Sequence, residues 1–547
     1  MPELSVIIPT YNRADRLRAC LQALAEQTQP FDDFEVIVVV DGATDGTMEM
    51  LTTLTTPYVL TTIYQENQGQ HVARNHGATR ACGHYYLFLD DDIISEPQLV
   101  AEHLRLHRQQ AGVVGIGQIA IDVGQADWYT QRFAQGWRAH YEQLNQGLRR
   151  PSWPDGYGGN ISVSRAIFMA VSGFAPDIRR SHDIEFAYRL EQQGATFVYL
   201  PRAIGCQVEH KRARELFGDA TRSGAAWVTL CRRHPAMLPE LLGPLGDTSA
   251  REALLRELCW RLGLSPWLLA WLGGFLVKTR WGGKWYRFLF TLGYWWGVRQ
   301  ALPDRETWER TVKGIPILIY HAFGQPGERA SQFVVPIRQF ARQMAWLKRL
   351  NYHVLSLEEY IHYRLQYQLP PSRSIVLTMD DGYAEIATLV EPILRRYDFP
   401  ATVFLVSRKI GGCNDWTEDE ALRGRPLMSW ATMKEMGYQG IQFGVHTQTH
   451  PSLTGMPVAQ ARVEIAGAKA DLERELQRPV TTFAYPYGNY DEQIQTLVAE
   501  AGFLGGCTAD SGVNSWSTVL NKLRRLEVEG TWSLLRFLFV LCLGGRL

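Results

Sequence analysis

Short apolar runs bounded by turn-forming residues recur along this 547-residue chain in two separate blocks. The first block covers residues 1–210 and the second covers residues 311–530, and in both blocks the apolar runs alternate with helical patterns. Such alternation is typical of a mostly parallel sheet with helices on its faces. Because single hydrophobic cores stop growing well below this chain length, the two blocks predict two α/β domains.

Each block contains several candidate strands. In the first block they are Ser5–Pro9, Val36–Val40, Tyr85–Leu89 and Phe197–Leu200, and in the second they are Pro316–Tyr320, Ser374–Thr378, Thr402–Val406, Ile441–Val445 and Thr481–Tyr485. The chain ends in SLLRFLFVLCLGGRL, which predicts a short apolar helix that packs on the second domain or touches a membrane.

Composition and charge exclude some classes of protein. Apolar residues make up 46% and charged residues 20%, which is typical of a globular chain. Lys plus Arg and Asp plus Glu both number 56, so there is no net positive charge to favour nucleic-acid binding. The eight cysteines form no CxxC pair and predict reduced thiols. No signal peptide is recognisable at the N-terminus, so we expect a cytoplasmic protein.

The region between the blocks, residues 211–312, lacks the alternation and is predicted to be helical. Six of the chain's 17 tryptophans lie between Ser265 and Val298. The two apolar runs there, Trp267–Val277 and Phe288–Val298, are each shorter than the roughly 20 residues that cross a bilayer. Aromatic runs flanked by Lys and Arg favour helices lying in a membrane interface. A helical pair packed on one domain and a re-entrant hairpin are the alternatives.

Polar residues follow three of the apolar runs in the first block. The third of these runs, YYLFL, is followed by the acidic triplet Asp90–Asp92. Ligands of open α/β sheets bind beyond the carboxyl ends of the strands. Three adjacent carboxylates repel one another unless a cation neutralises them, and oxygen ligands suit Mg²⁺ or Mn²⁺. Such an ion would stabilise the charge of a departing nucleoside diphosphate. A solvated acidic turn or a helix N-cap is the alternative.

The motifs SVIIPTYNR, VVVDGATDGT, NQGQHVARNHGA, LFLDDD, GGNISVSR and HDIEFAYRL occur in this order over residues 4–210. Together they resemble the family 2 glycosyltransferases, which have the Rossmann-like GT-A fold. The resemblance implies a nucleotide-sugar donor, with a UDP-sugar expected, bound by Thr10, Asn12, Asp41, Asn67, Arg74 and Asp90. It also implies that Asp90 and Asp92 hold Mn²⁺ or Mg²⁺, and that Asp183 is the catalytic base of an inverting transfer.

A positioned carboxylate suits that base role, because the acceptor hydroxyl must lose its proton as it attacks the anomeric carbon. His182 stands where the family more often has Glu. His210, in CQVEH, resembles a late metal ligand of some members and is otherwise an ordinary histidine. His71 and His76 are interpreted as structural.

The second block places two carboxylates and two histidines after apolar runs. Asp380 and Asp381 follow SIVLTM, and His446 and His450 follow IQFGV. Two histidines four residues apart with a distant carboxylate form a three-ligand site, which leaves a position open for a water molecule. A metal there would lower the pKa of that water and polarise a carbonyl group, with the second carboxylate as general base. The HxxxH spacing alone is common by chance.

The motifs TMDDG, HTQTH and FAYPYG, within residues 313–530, resemble the polysaccharide deacetylases of carbohydrate esterase family 4, the NodB homology domain. The resemblance implies a distorted (β/α) barrel with its site at the carboxyl ends of the strands. It implies that Asp380 is the base, and that Asp381, His446 and His450 bind Zn²⁺ or another divalent metal. The backbone N–H of Tyr487 would help to hold the oxyanion.

Two departures from the deacetylase pattern concern the residues that act in general acid–base catalysis. Ala484 stands where many members have the Arg that orients the base, and no histidine follows His450. His321, in ILIYHAFG, resembles the early histidine of the branch that deacetylates poly-N-acetylglucosamine, which implies that it protonates the leaving amine.

The sequence therefore predicts a glycosyltransferase domain over 1–210, a helical region over 211–312 that either associates with a membrane or packs on one domain, and a deacetylase domain over 313–547. The predicted protein is a bifunctional enzyme of polysaccharide or glycolipid assembly, both a hexosyltransferase and a metal-dependent N-deacetylase acting on a linear amide. Its acceptor is expected to be a glycan or a lipid-linked glycan at the inner face of the plasma membrane. One alternative is an active transferase whose second domain only binds glycan, and another is a non-catalytic scaffold.

Overall fold

The structure of the chain, a computed structural model, describes residues 1–124, 127–208, 213–240, 250–272, 279, 281–312, 314–325, 328, 331–437 and 440–543. The chain forms two compact units. The first comprises Met1–Leu230 and Cys259–Ala301, and the second comprises Cys231–Leu258 and Leu302–Leu547. The domain boundaries 1–210, 211–312 and 313–547 stay predictions.

The first unit is built on a mixed eight-stranded sheet. Its strands are β1 Leu4–Thr10, β2 Phe34–Asp41, β3 Val59–Gln65, β4 Tyr85–Leu89, β5 Ile93–Ser95, β6 Val113–Asp122, β7 Asn160–Ser164 and β8 Thr196–Val208. They lie in the order β3-β2-β1-β4-β7-β6-β8-β5. The pairs among β1, β2, β3 and β4 are parallel, as is β6 with β8, whereas β7 runs antiparallel between β4 and β6.

The parallel half of this sheet brings the predicted ligand-binding residues to one edge. All residues of β1 and β2 are buried, which is why both read as continuous apolar runs. β1 ends at Thr10 and β2 at Asp41, while Asp90 follows β4 directly. Helix α3, Gln70–Arg80, lies close against β1 and β2, because a Cβ at Gly77 would come within 2.6 Å of the Ile7 side chain.

The described helices follow in chain order. They are α1 Ala14–Leu24, α2 Thr47–Thr53, α3 as above, α4 Leu99–Gln109, α5 Trp128–Asn145, α6 Arg165–Ala170, α7 His182–Gln192, α8 Ala213–Arg233, α9 Ala250–Arg261, α10 Pro266–Leu272, α11 Gly282–Ala301 and α12 Arg305–Val312. The series continues with α13 Ile337–Arg349, α14 Leu357–Leu365, α15 Glu391–Tyr397, α16 Trp430–Gly437, α17 Val458–Arg462, α18 Ala468–Leu476, α19 Glu492–Glu500 and α20 Leu534–Leu543. Within the described ranges, no helix has an apolar stretch long enough to span a bilayer.

The second unit contains a closed parallel barrel, as predicted. Its strands are β9 Ile317–Tyr320, β10 Ala322–Gly324, β11 Val334–Pro336, β12 His353–Leu355, β13 Ser374–Met379, β14 Ala401–Leu405, β15 Ile441–Val445, β16 Thr482–Ala484, β17 Gly505–Ser511 and β18 Leu523–Glu527. The sheet runs from β13 through β14, β15, β16, β17 and β18 to β9, and β9 pairs again with β13 to close it. β12 extends the edge of β13, and β10 and β11 form a separate pair.

Candidate functional site

The second unit brings Asp381, His446 and His450 together at the carboxyl ends of β13 and β15. Nε2 of His450 lies 3.5 Å from a carboxylate oxygen of Asp381, and Nε2 of His446 lies 3.8 Å from it. The two Nε2 atoms are 3.1 Å apart, and all three side chains are buried. One ligand atom from each residue lies within 4.8 Å of the others, so the group can surround a single ion. Two imidazole nitrogens and one carboxylate suit Zn²⁺.

The residues around this cluster hold its ligand atoms in place. Nδ1 of His446 hydrogen-bonds the carbonyl oxygen of Ala484 at 2.8 Å, which directs Nε2 toward the cluster. The ring of His450 stacks on Trp416 at 4.9 Å. The hydroxyl of Tyr383 donates to Asp381 at 2.9 Å. Burial and then the negative charge of Asp380 raise the pKa of Asp381 to about 7 in the metal-free protein.

Asp380 is held by an arginine that sequence reasoning missed. Arg525 of β18 donates to both carboxylate oxygens of Asp380, at 2.7 and 2.8 Å, and its Nε donates to the carbonyl oxygen of Thr508. Both side chains are almost wholly buried. Burial favours the neutral acid, but Arg525 and then His446 outweigh it and lower the pKa of Asp380 to about 2. Arg525 thus makes the contact expected of the arginine that Ala484 replaces.

His321 and Tyr487 border the same cavity of about 330 Å³ as Asp380 and the three candidate ligands. His321 follows β9 directly, and its Nδ1 lies 3.8 Å from a carboxylate oxygen of Glu527. Burial lowers the pKa of His321. Tyr487 has a φ of +58° and packs its ring against that of His450. Left-handed backbone at a bulky residue is costly and concentrates at functional sites.

The first unit places Thr10 and Asp41 at the ends of β1 and β2, Asn12 in the loop after β1 and Asn67 in the loop after β3. Asp41 accepts bonds from the side chain of Gln65 and from the backbone N–H groups of residues 68 and 69, each at 2.8 Å. Asn67 donates to the backbone oxygen of Asp41. Asn12, with a φ of +51°, accepts from the backbone N–H of Thr44 at 2.7 Å. The loops that these bonds fix lie at the edge where a nucleotide is predicted.

The acidic triplet is neutralised by arginines. Arg13 donates to Asp91 and to Asp92, at 3.0 Å each, and Arg16 contacts Asp92 at 3.3 Å. Burial raises the pKa of Asp91 to about 6, although Arg13 and the Thr10 hydroxyl oppose it. Among the described residues, no three ligand atoms of Asp, Glu, His or Cys side chains lie within 4.8 Å of one another at this site. The predicted ligand His210 lies outside the described residues.

Arg74 links Asp90 to the start of α7, where Asp183 lies. Its guanidinium donates to Asp90 at 2.6 Å, to the Gly158 carbonyl at 2.8 Å and to Nε2 of His182 at 2.8 Å. Burial and then the charge of Arg74 lower the pKa of His182 to about 4, so His182 is the neutral acceptor of this bond. Asp183 accepts from the Gly158 N–H at 3.1 Å. The histidine therefore retains the acceptor that a Glu would supply to Arg74.

The two histidines of α3 hydrogen-bond other parts of the first unit, which agrees with a structural role. Nε2 of His71 hydrogen-bonds the Pro176 carbonyl at 2.9 Å, and Nδ1 of His76 hydrogen-bonds the side chain of Gln65 at 2.9 Å.

The two units are similar to two families of carbohydrate enzymes. Residues 5–171 match Glycosyl transferase family 2, and residues 368–505 match the Polysaccharide deacetylase family. Glycosyltransferase AglE of Haloferax volcanii is 42% identical over 214 residues, which are 38% of this chain and 67% of that protein.

Two deacetylase relatives match the other unit. The putative polysaccharide deacetylase YxkH of Bacillus subtilis is 28% identical over 234 residues, which are 42% of this chain and 78% of that protein. The poly-β-1,6-N-acetyl-D-glucosamine N-deacetylase of Staphylococcus aureus is 25% identical over 34% of this chain. The match covers 64% of that enzyme's length, less than two thirds.

The chain joins a GT-A unit to a closed parallel barrel whose sequence matches the polysaccharide deacetylase family. The chain belongs to glycosyl transferase family 2 through its first unit, and its second unit matches the Polysaccharide deacetylase family over residues 368–505.

Proposed function

We propose that the protein is a bifunctional enzyme that transfers a sugar from a nucleotide-sugar donor and removes N-acetyl groups from GlcNAc-type residues. The observation that carries the proposal is the cavity of the second unit, where Asp380, His321 and the three candidate metal ligands converge. Support for the substrate comes from the relative that acts on poly-β-1,6-N-acetyl-D-glucosamine. The amide acetyl group is a small substituent that a cavity of about 330 Å³ accommodates.

The deacetylation divides its proton transfers between two residues. A divalent ion such as Zn²⁺, held by Asp381, His446 and His450, would polarise the amide carbonyl and acidify a water molecule. Asp380, ionised at neutral pH and fixed by Arg525, accepts the proton of the attacking water. The N–H of Tyr487 donates to the oxyanion. The protonated form of His321, whose Nδ1 lies 3.8 Å from the Glu527 carboxylate, then protonates the leaving amine, and the proton taken up by Asp380 restores that form.

The deacetylase proposal is tested by acetate release from β-1,6-linked N-acetylglucosamine oligomers with Zn²⁺, Co²⁺ or Mn²⁺. We expect release by the wild type and a loss of at least about 10³-fold in Asp380→Asn, which removes the base. Asp398→Asn is the matched control, because Asp398 is exposed and has a left-handed φ of +56° that Asn also adopts. Wild-type protein that binds the oligomers without releasing acetate would reduce this unit to a glycan-binding module.

The transferase proposal assigns an inverting transfer of a hexosyl group, with a UDP-sugar as donor and a glycan or lipid-linked glycan as acceptor. Asp183 would accept the proton of the acceptor hydroxyl at the start of α7. Thr10, Asn12, Asp41, Asn67, Arg74 and Asp90 would line the donor. Asp90 and Asp92 would hold Mn²⁺ or Mg²⁺ only if Arg13 and Arg16 release Asp92, and His210 is proposed to complete that site. A lipid-linked acceptor would place the protein at the cytoplasmic face of the plasma membrane.

Release of nucleoside diphosphate from a panel of UDP- and GDP-sugars tests this second activity. Asp183→Asn should lower turnover at least about 10²-fold with little change in donor affinity, since the base acts on the acceptor. Asp15→Asn, an exposed position on α1, is the control. A wild type that neither binds nor turns over any donor would favour the scaffold alternative.

A further inference from the structure

The segment 258–303 has an unusual charge and aromatic content. It contains no Asp or Glu, six Lys or Arg residues, and seven of the chain's 17 tryptophans. Because the whole chain has equal numbers of acidic and basic residues, the rest of the chain has an excess of six acids. This tryptophan-rich segment therefore has a net positive charge, whereas the rest of the chain is net negative.

The helices of this segment pack into the first unit, α10 with part of its surface and the second half of α11 on nearly every side. Ala270 of α10 and Phe288, Leu289 and Leu292 of α11 are buried in a cluster with Tyr129, Phe217 and others of the first unit. The apolar run Phe288–Val298 is thus mostly buried, which agrees with a helical pair packed on one domain.

The remaining side of α10 and the residue before α11 expose large apolar side chains. Trp267 and Trp271 lie one helical turn apart on α10 and are 47% and 76% exposed. Leu272 is 54% exposed, and Trp281, directly before α11, is 48% exposed. We call these four residues the tryptophan surface. Adjoining exposed apolar groups such as those of Trp267 and Trp271 mark contact sites, whereas single exposed apolar residues are ordinary protein surface.

Cations lie directly beside two of these tryptophans. The guanidinium of Arg214 lies 5.4 Å above the ring of Trp267, and Nζ of Lys284 lies 5.0 Å from the ring centre of Trp281. Tryptophan favours the boundary between headgroups and acyl chains, and each nearby Lys or Arg adds attraction to anionic lipid. Among the described residues, no helix has an apolar stretch long enough to span a bilayer. A contact between the tryptophan surface and a membrane would therefore lie within the membrane interface.

We propose that the tryptophan surface docks the protein on an anionic lipid bilayer. The absence of acidic residues from 258–303 selects lipid over a protein partner, whose interface would ordinarily pair charges of both signs. This inference is independent of both proposed activities, since none of the four residues belongs to either candidate site.

Vesicle co-sedimentation of the full-length protein tests the proposal. We expect binding to vesicles of 30% phosphatidylglycerol and 70% phosphatidylcholine, at least tenfold weaker binding to pure phosphatidylcholine, and weakening by 0.5 M NaCl. Trp271→Ala combined with Trp281→Ala should reduce the partition coefficient at least tenfold, and Lys284→Glu should reduce it severalfold. The control is Leu148→Ala combined with Met169→Ala, which removes equally exposed apolar groups elsewhere in the first unit.

Three results would overturn the proposal. They are no binding to either vesicle type, binding that the tryptophan variants leave unchanged, and a concentration-dependent dimer that requires Trp271 without any vesicle binding. The last would assign the surface to a second copy of the chain. Unchanged circular dichroism and thermal melting would establish that the tryptophan variants are folded. A loss of vesicle binding would then result from removal of the tryptophan side chains and not from misfolding.

Discussion

Asp380 and Asp381 are adjacent in the chain, yet their environments shift their pKa values in opposite directions. Arg525 pairs with Asp380 and holds its pKa at about 2, whereas burial and then the charge of Asp380 raise the pKa of Asp381 to about 7, against the hydrogen bond from Tyr383. Two carboxylates separated in this way can take different tasks. The first stays an anion that accepts protons, and the second gains its charge when a cation is bound.

Arg525→Lys should lower kcat/KM for acetate release about 10²-fold. A lysine cannot form the two parallel hydrogen bonds that fix Asp380, so the base loses its orientation although the positive charge remains. Arg524→Lys is the matched control, since Arg524 is the exposed neighbour on the same strand. A change of less than twofold in Arg525→Lys would mean that orientation by this arginine does not contribute.

Excess Zn²⁺ should raise the melting temperature of the second unit in the wild type but not in His450→Ala. A ligand that binds only the folded state stabilises it by RT ln(1 + [L]/Kd), and losing one of three ligands removes most of the affinity. His353→Ala, at an exposed position of β12, should behave as the wild type. An equal shift in all three proteins would place the metal elsewhere. Differential scanning fluorimetry after chelator treatment provides the measurement.

At the scale of elements, α4 and β7 are joined by buried histidines that must stay neutral. His103 and His107 of α4 both hydrogen-bond the hydroxyl of Ser162 in β7, at 2.7 and 2.8 Å. Burial lowers the pKa of His103 to about 3 and that of His107 to about 4. In the unfolded chain both pKa values are about 6.5.

The stability of the first unit should therefore fall as the pH is lowered from about 6.5 to 4. Below 6.5 the unfolded chain binds protons that the folded state excludes, and each histidine then costs about 1.4 kcal/mol per pH unit. The double variant His103→Gln, His107→Gln should show a shallower slope of unfolding free energy between pH 6 and 4. Urea titrations at several pH values measure this slope, and the unfolding transition that the substitutions shift is the one to compare. Identical slopes would contradict the assignment.

The strands that the sequence predicted well are those buried on both faces. Most of the predicted strand ends lie within one residue of the observed ends for β1, β2 and β13, which were predicted as Ser5–Pro9, Val36–Val40 and Ser374–Thr378. β3, at the sheet edge, has no buried residue before Gln65, and β6 begins VVGIG, so neither presents a continuous apolar run. Local patterns are weak for such strands because tertiary packing decides them.

The candidate site was predictable where its residues follow strands and unpredictable where a distant strand supplies a partner. Asp381, His446 and His450 end strands and meet because parallel strands present their carboxyl ends together. Arg525 lies 145 residues from Asp380, and only the closure of the barrel brings them into contact. The pairing of Asp92 with Arg13 and Arg16 likewise depends on the fold, since no spacing rule links α1 to that loop.

At the scale of the whole molecule, each candidate site is built from residues of one unit. The first unit has its core around β1, β2 and β4, and the second has its own around the barrel strands. Neither site draws a described side chain from the other unit. The two activities should therefore be separable by substitution.

Asp183→Asn should abolish sugar transfer and leave acetate release within about twofold of the wild type, and Asp380→Asn should do the reverse. Independent sites without shared partners usually behave additively. Both assays on both variants and on the double variant measure the coupling. A single substitution that lowers both rates more than tenfold would show that the activities depend on each other.

The contact between Asp380 and Arg525 also ties activity to the order of synthesis. The ribosome makes the carboxylate 145 residues before its counter-charge, and β18, which carries that charge, also pairs with β9 to close the barrel. A nascent or prematurely terminated chain that stops before residue 525 would have an open barrel edge and a carboxylate without its arginine. The proton acceptor thus becomes competent only once translation has passed β18, so partly made copies should be catalytically silent and readily degraded.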